Sequence, residues 1–159
     1  MKTDTRLSRT LHALIHLDRH ARRMTSEAIA AMLCTNATVV RRTMAGLREA
    51  GHVRSIAGPG GGWELARPLA ALTLGDVYRA VGEPSLFALG PAAEDATCLV
   101  ERAVDARLDG ALDEARAVLL TRFEAVTVAD IAADFDRAFA REGRGRSGAQ
   151  DEGRTVTDP

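Results

Sequence analysis

The sequence predicts a mainly α fold with a small β-hairpin wing, a winged helix-turn-helix plus a long C-terminal helix. Three observations predict it. Three short apolar-periodic segments, 5–19, 26–33 and 37–49, stand close together near the N-terminus. A β-like run and a glycine-rich loop follow at once, in HVRSIA, GPGGG and WELA over residues 52–66. Beyond Pro68 the chain returns to helix, with one pattern of about thirty residues.

Each element has a local cause. In 5–19, Leu7, Leu11, Leu14 and Leu17 fall on one side at spacings of four, three and three. Thr25 caps a second helix from Ser26 to Leu33. Cys34-Thr35-Asn36 breaks it, with Cys34 expected in the core and Asn36 capping 37–49. Gly51 stands where helices stop. Thr73-Leu-Gly-Asp76 has the form of a capping box and opens a helix to about Ala80; Thr127-Val-Ala-Asp130 repeats it and opens a last helix to about Arg141. Between them lie a loop, 82–95, and a helix over 96–125. Its stripe is Val100, Val104, Leu108, Leu112, Ala115, Leu119 and Phe123. Gly110 interrupts that helix, where a bend or a close backbone approach is expected. Residues 142–159 lack an apolar period and read as a disordered tail. The organisation is thus 1–68, 69–141 and 142–159.

The overall charge of −1 conceals a division. Residues 1–68 carry 11 Lys and Arg against five acids; residues 69–159 carry 10 Arg against 17 acids. A basic first half suits a polyanion, and an acidic second half suits a different task. No stretch is long and apolar enough to span a bilayer, and the charged N-terminus lacks a signal-peptide pattern, so a cytoplasmic protein is expected. Two cysteines, Cys34 and Cys98, are too few for a disulfide framework. No nucleophile–base or paired-carboxylate arrangement stands out, so no enzyme is expected and no cofactor is assigned.

A second helix set after a short turn can enter a major groove. On 37–49, Val40, Met44 and Leu47 form the apolar back; Thr38, Arg42 and Ala45 lie opposite, flanked by Arg41. Arg can bond guanine O6 and N7 as a bidentate pair, and Thr can meet a base edge or a phosphate. Double-stranded DNA is the expected partner. Arg6, Arg9, Thr25 and Ser26, near the starts of the first two helices, are placed to hold phosphates. Gly58-Pro59-Gly60-Gly61-Gly62 matches neither a P-loop nor a dinucleotide fingerprint, and its bare backbone can lie against a sugar-phosphate strand.

These stretches, GHVRSIAGPGGGWELARP with NATVVRRTMAGLREA before it and TLGDVYRAVGEPSLFALG after it, resemble the Rrf-two (IscR/NsrR-type) winged-helix transcriptional regulators, and more closely the YwnA-like branch without an iron–sulfur cluster. The resemblance covers about residues 5–135. It implies a homodimer joined by the long helix, a pseudo-palindromic operator, and DNA contacts at Asn36, Thr38, Arg41, Arg42, Arg54, Gly60, Gly61 and Gly62. Repression by covering promoter DNA is the expected mode. Two positions depart from the family pattern. Ala57 stands where family wings often carry a minor-groove Arg, and Cys98 is alone where cluster-binding members place three cysteines.

Two further constellations define alternatives. His12, His16 and His20 repeat at four-residue intervals, stacking three imidazoles on one helix face, and a pair four apart can chelate zinc, nickel or copper. Cys98, at a helix start, could be a redox thiol. Either would make a metal- or thiol-responsive regulator. A winged helix used only for protein–protein contact is the other reading.

Overall fold

The computed structural model describes residues 4–20, 23–89 and 98–148. Six helices appear among them, α1 (Arg6–His20), α2 (Ser26–Met32), α3 (Ala37–Glu49), α4 (Leu74–Ala80), α5 (Leu99–Ala125) and α6 (Val128–Gly148). Between α3 and α4 lie an antiparallel hairpin, β1 (Val53–Ile56) and β2 (Gly62–Leu65), and one 3-10 turn, Leu69–Ala71.

Capping decides the helix starts. Thr25 Oγ1 accepts the Ala28 amide at 3.1 Å, and Asn36 Oδ1 accepts that of Val39 at 2.9 Å. The turn between α2 and α3 puts Cys34 in the left-handed region, at φ 50°. Cys34 is therefore exposed, not in the core as its residue type suggested. The tight reversal fixes its backbone, and its side chain follows outward. Gly51, at φ 75°, ends α3, and His52 donates its amide to the Leu47 carbonyl at 2.8 Å.

The core takes Leu14 and Leu17 from α1 and Ile29 from α2. From α3 it takes Val40, Met44 and Leu47, the apolar back the sequence marks. Along α1 the most buried positions are Thr10, Ala13, Leu14 and Leu17, with Leu7 and Leu11 only half-buried. Thr10 is accommodated because its hydroxyl donates to the Arg6 carbonyl at 2.7 Å. Leu69, Leu72, Val77 and Val128 complete the same cluster, so packing is continuous across residue 68. α3 lies hard against α4 through Gly46, where an added Cβ would stand 2.4 Å from the Ala80 carbonyl oxygen.

The hairpin pairs Val53 with Leu65 and Ile56 with Gly62. It is pinned to the segment before α2. Met24 and Trp63 exchange both backbone hydrogen bonds, at 3.1 and 2.9 Å, and buried Trp63 donates Nε1 to Ser26 Oγ at 2.9 Å. Thr73 and Thr127 both cap through Asp76 and Asp130, and the two caps are tied to each other. Leu74 donates its amide to Val126 at 2.9 Å and Val128 to Leu72 at 2.8 Å.

Two expectations change in the C-terminal half. α6 continues to Gly148, past Arg141, so the disordered tail does not begin at 142. An established helix adds a hydrogen bond per residue without a new nucleation cost, and an apolar stripe is not required for that. Residues 149–159, the rest of that tail, lie outside the described residues, as does the part of the 82–95 loop beyond Leu89. Gly110 has nothing within 4 Å of its missing Cβ, and α5 runs unbroken through it, so the expected close approach is absent among the described residues. No helix of the described residues is long and apolar enough to cross a membrane.

Candidate nucleic-acid interface

The turn at 33–35 and the hairpin place α3 and the wing beside one another on the basic half. On α3, Thr38, Arg41 and Arg42 are exposed, opposite Val40, Met44 and Leu47. Asn36 is exposed at the N-cap, with its oxygen committed to the Val39 amide and its amide nitrogens free of any partner among the described residues. Arg42 makes no ion pair among the described residues, whereas Arg41 is held by Glu27 of α2. A guanidinium free of acids can turn fully to a base edge; one paired across the helix-turn-helix must exchange that carboxylate for DNA.

The wing shows the same competition. Glu64 of β2 receives Arg54 from β1 directly opposite and Arg23 at 2.9 Å from the segment before α2. Those two guanidiniums, Arg23 first, hold the Glu64 carboxyl below the usual carboxylate range. Arg23, brought to the wing by this ion pair, is not among the residues that the sequence marks; its only signal there is the Arg22-Arg23 pair just before the Thr25 cap. Gly58 and Gly60, at φ 87° and 72°, form the exposed wing tip. Gly61 is half-buried, and Gly62 is packed against the Met24 backbone, where a Cβ would meet the Met24 oxygen at 2.7 Å. Gly62 thus belongs to the hairpin's anchor, not to its tip. Ala57 is exposed at the end of β1.

The phosphate candidates separate too. Ser26 is buried with its hydroxyl engaged by Trp63, so only its backbone remains near the α2 N-terminus. Thr25 stays exposed. Arg6 is bound to Asp4 and donates Nη1 to the Val81 carbonyl at 3.1 Å, tying α1 to the end of α4. Arg9 is exposed and has no ion pair among the described residues.

The stripe on α5 divides in two. Leu112, Leu119 and Phe123 are half-buried within the chain. Leu112 lines a cleft with Leu86 and Phe87, and Phe123 meets Tyr78 edge-on at 5.7 Å. Ala115 is exposed. Val100, Val104 and Leu108 leave an uncovered apolar ridge with Leu99, which is 77% exposed and was not counted in the stripe.

On α1, His12 and His16 bring their Nε2 atoms to 3.0 Å, while His20 stacks on His16 at 5.7 Å between ring centroids. Among the described residues no three His, Cys, Asp or Glu side chains converge as a metal site. Cys98 is the exposed N-cap of α5, and the Glu101 and Val100 amides hold its thiol below the usual cysteine range.

Comparison with known proteins agrees with this architecture. The family described as "Rrf2: Iron-dependent Transcriptional regulator" matches residues 3–134. "Putative HTH-type transcriptional regulator YwgB" of Bacillus subtilis (strain 168) is 42% identical over 65 residues, 40% of this chain and 42% of that protein, so the match spans less than half of the relative's length. A crystal structure of a "putative transcriptional regulator" from Lactobacillus plantarum superimposes with a TM-score of 0.70 at 23% identity, over 89% of this chain and 98% of that one. The IscR of T. potens follows with a TM-score of 0.61 at 23% identity, over 87% and 90%. At these identities both support the fold.

Proposed function

This chain belongs to the Rrf2 family of transcriptional regulators, DNA-binding proteins rather than enzymes, and we propose that it acts as a homodimeric repressor of a pseudo-palindromic operator. The observation that carries the reading is the α3 face. Thr38 and an unpaired Arg42 stand exposed opposite the buried Val40, Met44 and Leu47, beside a wing pinned to the same helix pair. In this reading Thr38, Arg41 and Arg42 reach base edges in the major groove. Asn36, Arg9, Thr25, Arg23, Arg54 and the backbone of Gly58 to Gly61 meet phosphates, and the α2 N-terminus adds its amides. Two chains, joined through the α5 ridge, set two α3 helices in successive grooves and exclude other proteins from that DNA.

The iron of the family description does not fit the residues present. A cluster of the ordinary kind takes four protein ligands. The chain's two cysteines lie apart in the fold, one in the α2–α3 turn and one capping α5. No step of the proposed mechanism passes through such a group.

Arg42→Ala is expected to weaken specific binding by about 1–3 kcal/mol and to relax preference at one base step per half-site. Arg9→Ala should instead weaken all duplexes about equally and lower the salt slope by about one unit per half-site. Anisotropy titrations on an operator selected from random duplex, and on scrambled DNA, separate the two; equal losses of Arg42→Ala on both DNAs would make Arg42 a phosphate anchor.

The wing tests the reading at another point. Arg54 is engaged with Glu64 and the Ala57 side chain has no donor, so the wing serves as a backbone clamp. Ala57→Arg should tighten binding to operators with A·T-rich flanks by about 1–2 kcal/mol and do less for G·C-rich flanks. A gel-shift titration on operators differing only under the wings measures this. No gain, together with a strong A·T preference in the unaltered protein, would mean that another residue fills the minor groove.

A further inference from the structure

We propose that His12 and His16 form a two-imidazole site for a divalent ion of tetragonal preference, nickel(II) or copper(II), in the groove between α1 and α6. The residues stand four apart in α1, one turn from each other on the same face. Their Nε2 atoms are 3.0 Å apart while their ring centroids are 4.8 Å apart, so the rings lean together at their nitrogen corners. Two imidazole nitrogens at about 2.0–2.1 Å from one ion stand about 2.9 Å apart at a right angle and about 3.3 Å apart at the tetrahedral angle. The observed separation, that of an N–H···N hydrogen bond between the rings, lies nearer the right angle, the geometry of copper(II) and nickel(II) with nitrogen donors, and an ion would take the place of the shared proton.

The setting supports the pair. Of the two, His12 is exposed and His16 half-buried, and both line a groove of about 650 Å³ walled by Leu11, Ile15, Phe135 and Phe139. His16 lies between the other two rings, which restrains its swing. Among the described residues the cation lining this wall is Arg19, and its guanidinium is engaged on α6. It pairs with Asp136 and lies over the Phe135 ring at 4.4 Å. Water completes the coordination in the open part of the groove. His20 is not a ligand, because it sits two turns from His12 and stacks on His16 by its face.

The test uses the untagged full chain without DNA, so its outcome is independent of the operator reading. Calorimetric titration with nickel chloride should give one ion per chain. His12→Ala and His16→Ala should each weaken binding by about tenfold or more, the loss of one of two chelating imidazoles, while His20→Ala leaves it unchanged. With copper(II), electron paramagnetic resonance should show coupling to two nitrogens, and to one in either single variant. All three substitutions leave the buried core of α1 intact, and circular dichroism of each variant confirms the fold. No saturable binding, unchanged affinity in His12→Ala, or an equal loss in His20→Ala would each overturn the proposal.

Discussion

Val104→Glu combined with Leu108→Glu is expected to leave a folded chain that no longer dimerises and binds its operator about 10²–10⁴-fold more weakly. Both side chains lie on the uncovered ridge of α5 and contribute nothing to the core of their own chain, so the substitutions spare the fold. Two charges on each ridge would have to be desolvated in the pairing, at a cost well above the apolar gain of about 25 cal/mol per Å². The DNA effect follows from linkage. In a dimer the second half-site engages within one complex, at an effective concentration that raises avidity by about 10²–10⁴ without any new contact. Light scattering gives the assembly state, and anisotropy gives the affinity for whole and half operators. A variant that stays dimeric would place the interface elsewhere than the α5 ridge, and a monomer that keeps full operator affinity would remove the homodimer from the mechanism. Leu112 is the wrong probe despite its place in the stripe. It is half-buried against Leu86 and Phe87, so Leu112→Glu would disturb the chain itself.

Trp63→Ala should cost about 3–5 kcal/mol of stability, the range for removing a large buried aromatic side chain. Trp63 is the hairpin's anchor. Its backbone pairs with Met24, its ring is buried, and Nε1 reaches Ser26 Oγ at 2.9 Å. Its loss takes the ring's burial away and leaves the buried Ser26 hydroxyl without its donor, so the wing and α2 should loosen together. Trp63→Phe separates the two contributions. It keeps most of the apolar volume and should cost about 1–3 kcal/mol, chiefly for the unpartnered hydroxyl. Urea unfolding of both variants checks this. Equal, small losses would mean that the hairpin is held by its backbone bridges alone.

Much of the geometry of the candidate interface was legible because it depends on local rules. The alternation of Val40, Met44 and Leu47 with Thr38 and Arg42 fixes which side of α3 faces outward, whatever packs behind it. Thr25, Asn36, Thr73 and Thr127 mark helix starts because their side chains bond amides only three residues on. The misjudged residues depend on partners far along the chain. Ser26 has the sequence position of a phosphate-binding residue, yet Trp63, 37 residues later, engages its hydroxyl. Gly62 continues a run of apparently equivalent glycines, and only the nearness of Met24 makes it an anchor.

By itself the sequence determined the three-helix and hairpin order, the capped starts and the outward face of α3, because hydrogen bonds and periodicity within a few residues decide them. Tertiary structure alone decided which arginines are free. Glu27 claims Arg41, and Glu64 claims Arg23 and Arg54, across 14, 41 and 10 residues. It also decided which half of the α5 stripe remains uncovered and how near His12 comes to His16. Spacing in a sequence places side chains on a common face, but the ion pairs and ring orientations on that face depend on side-chain packing around it.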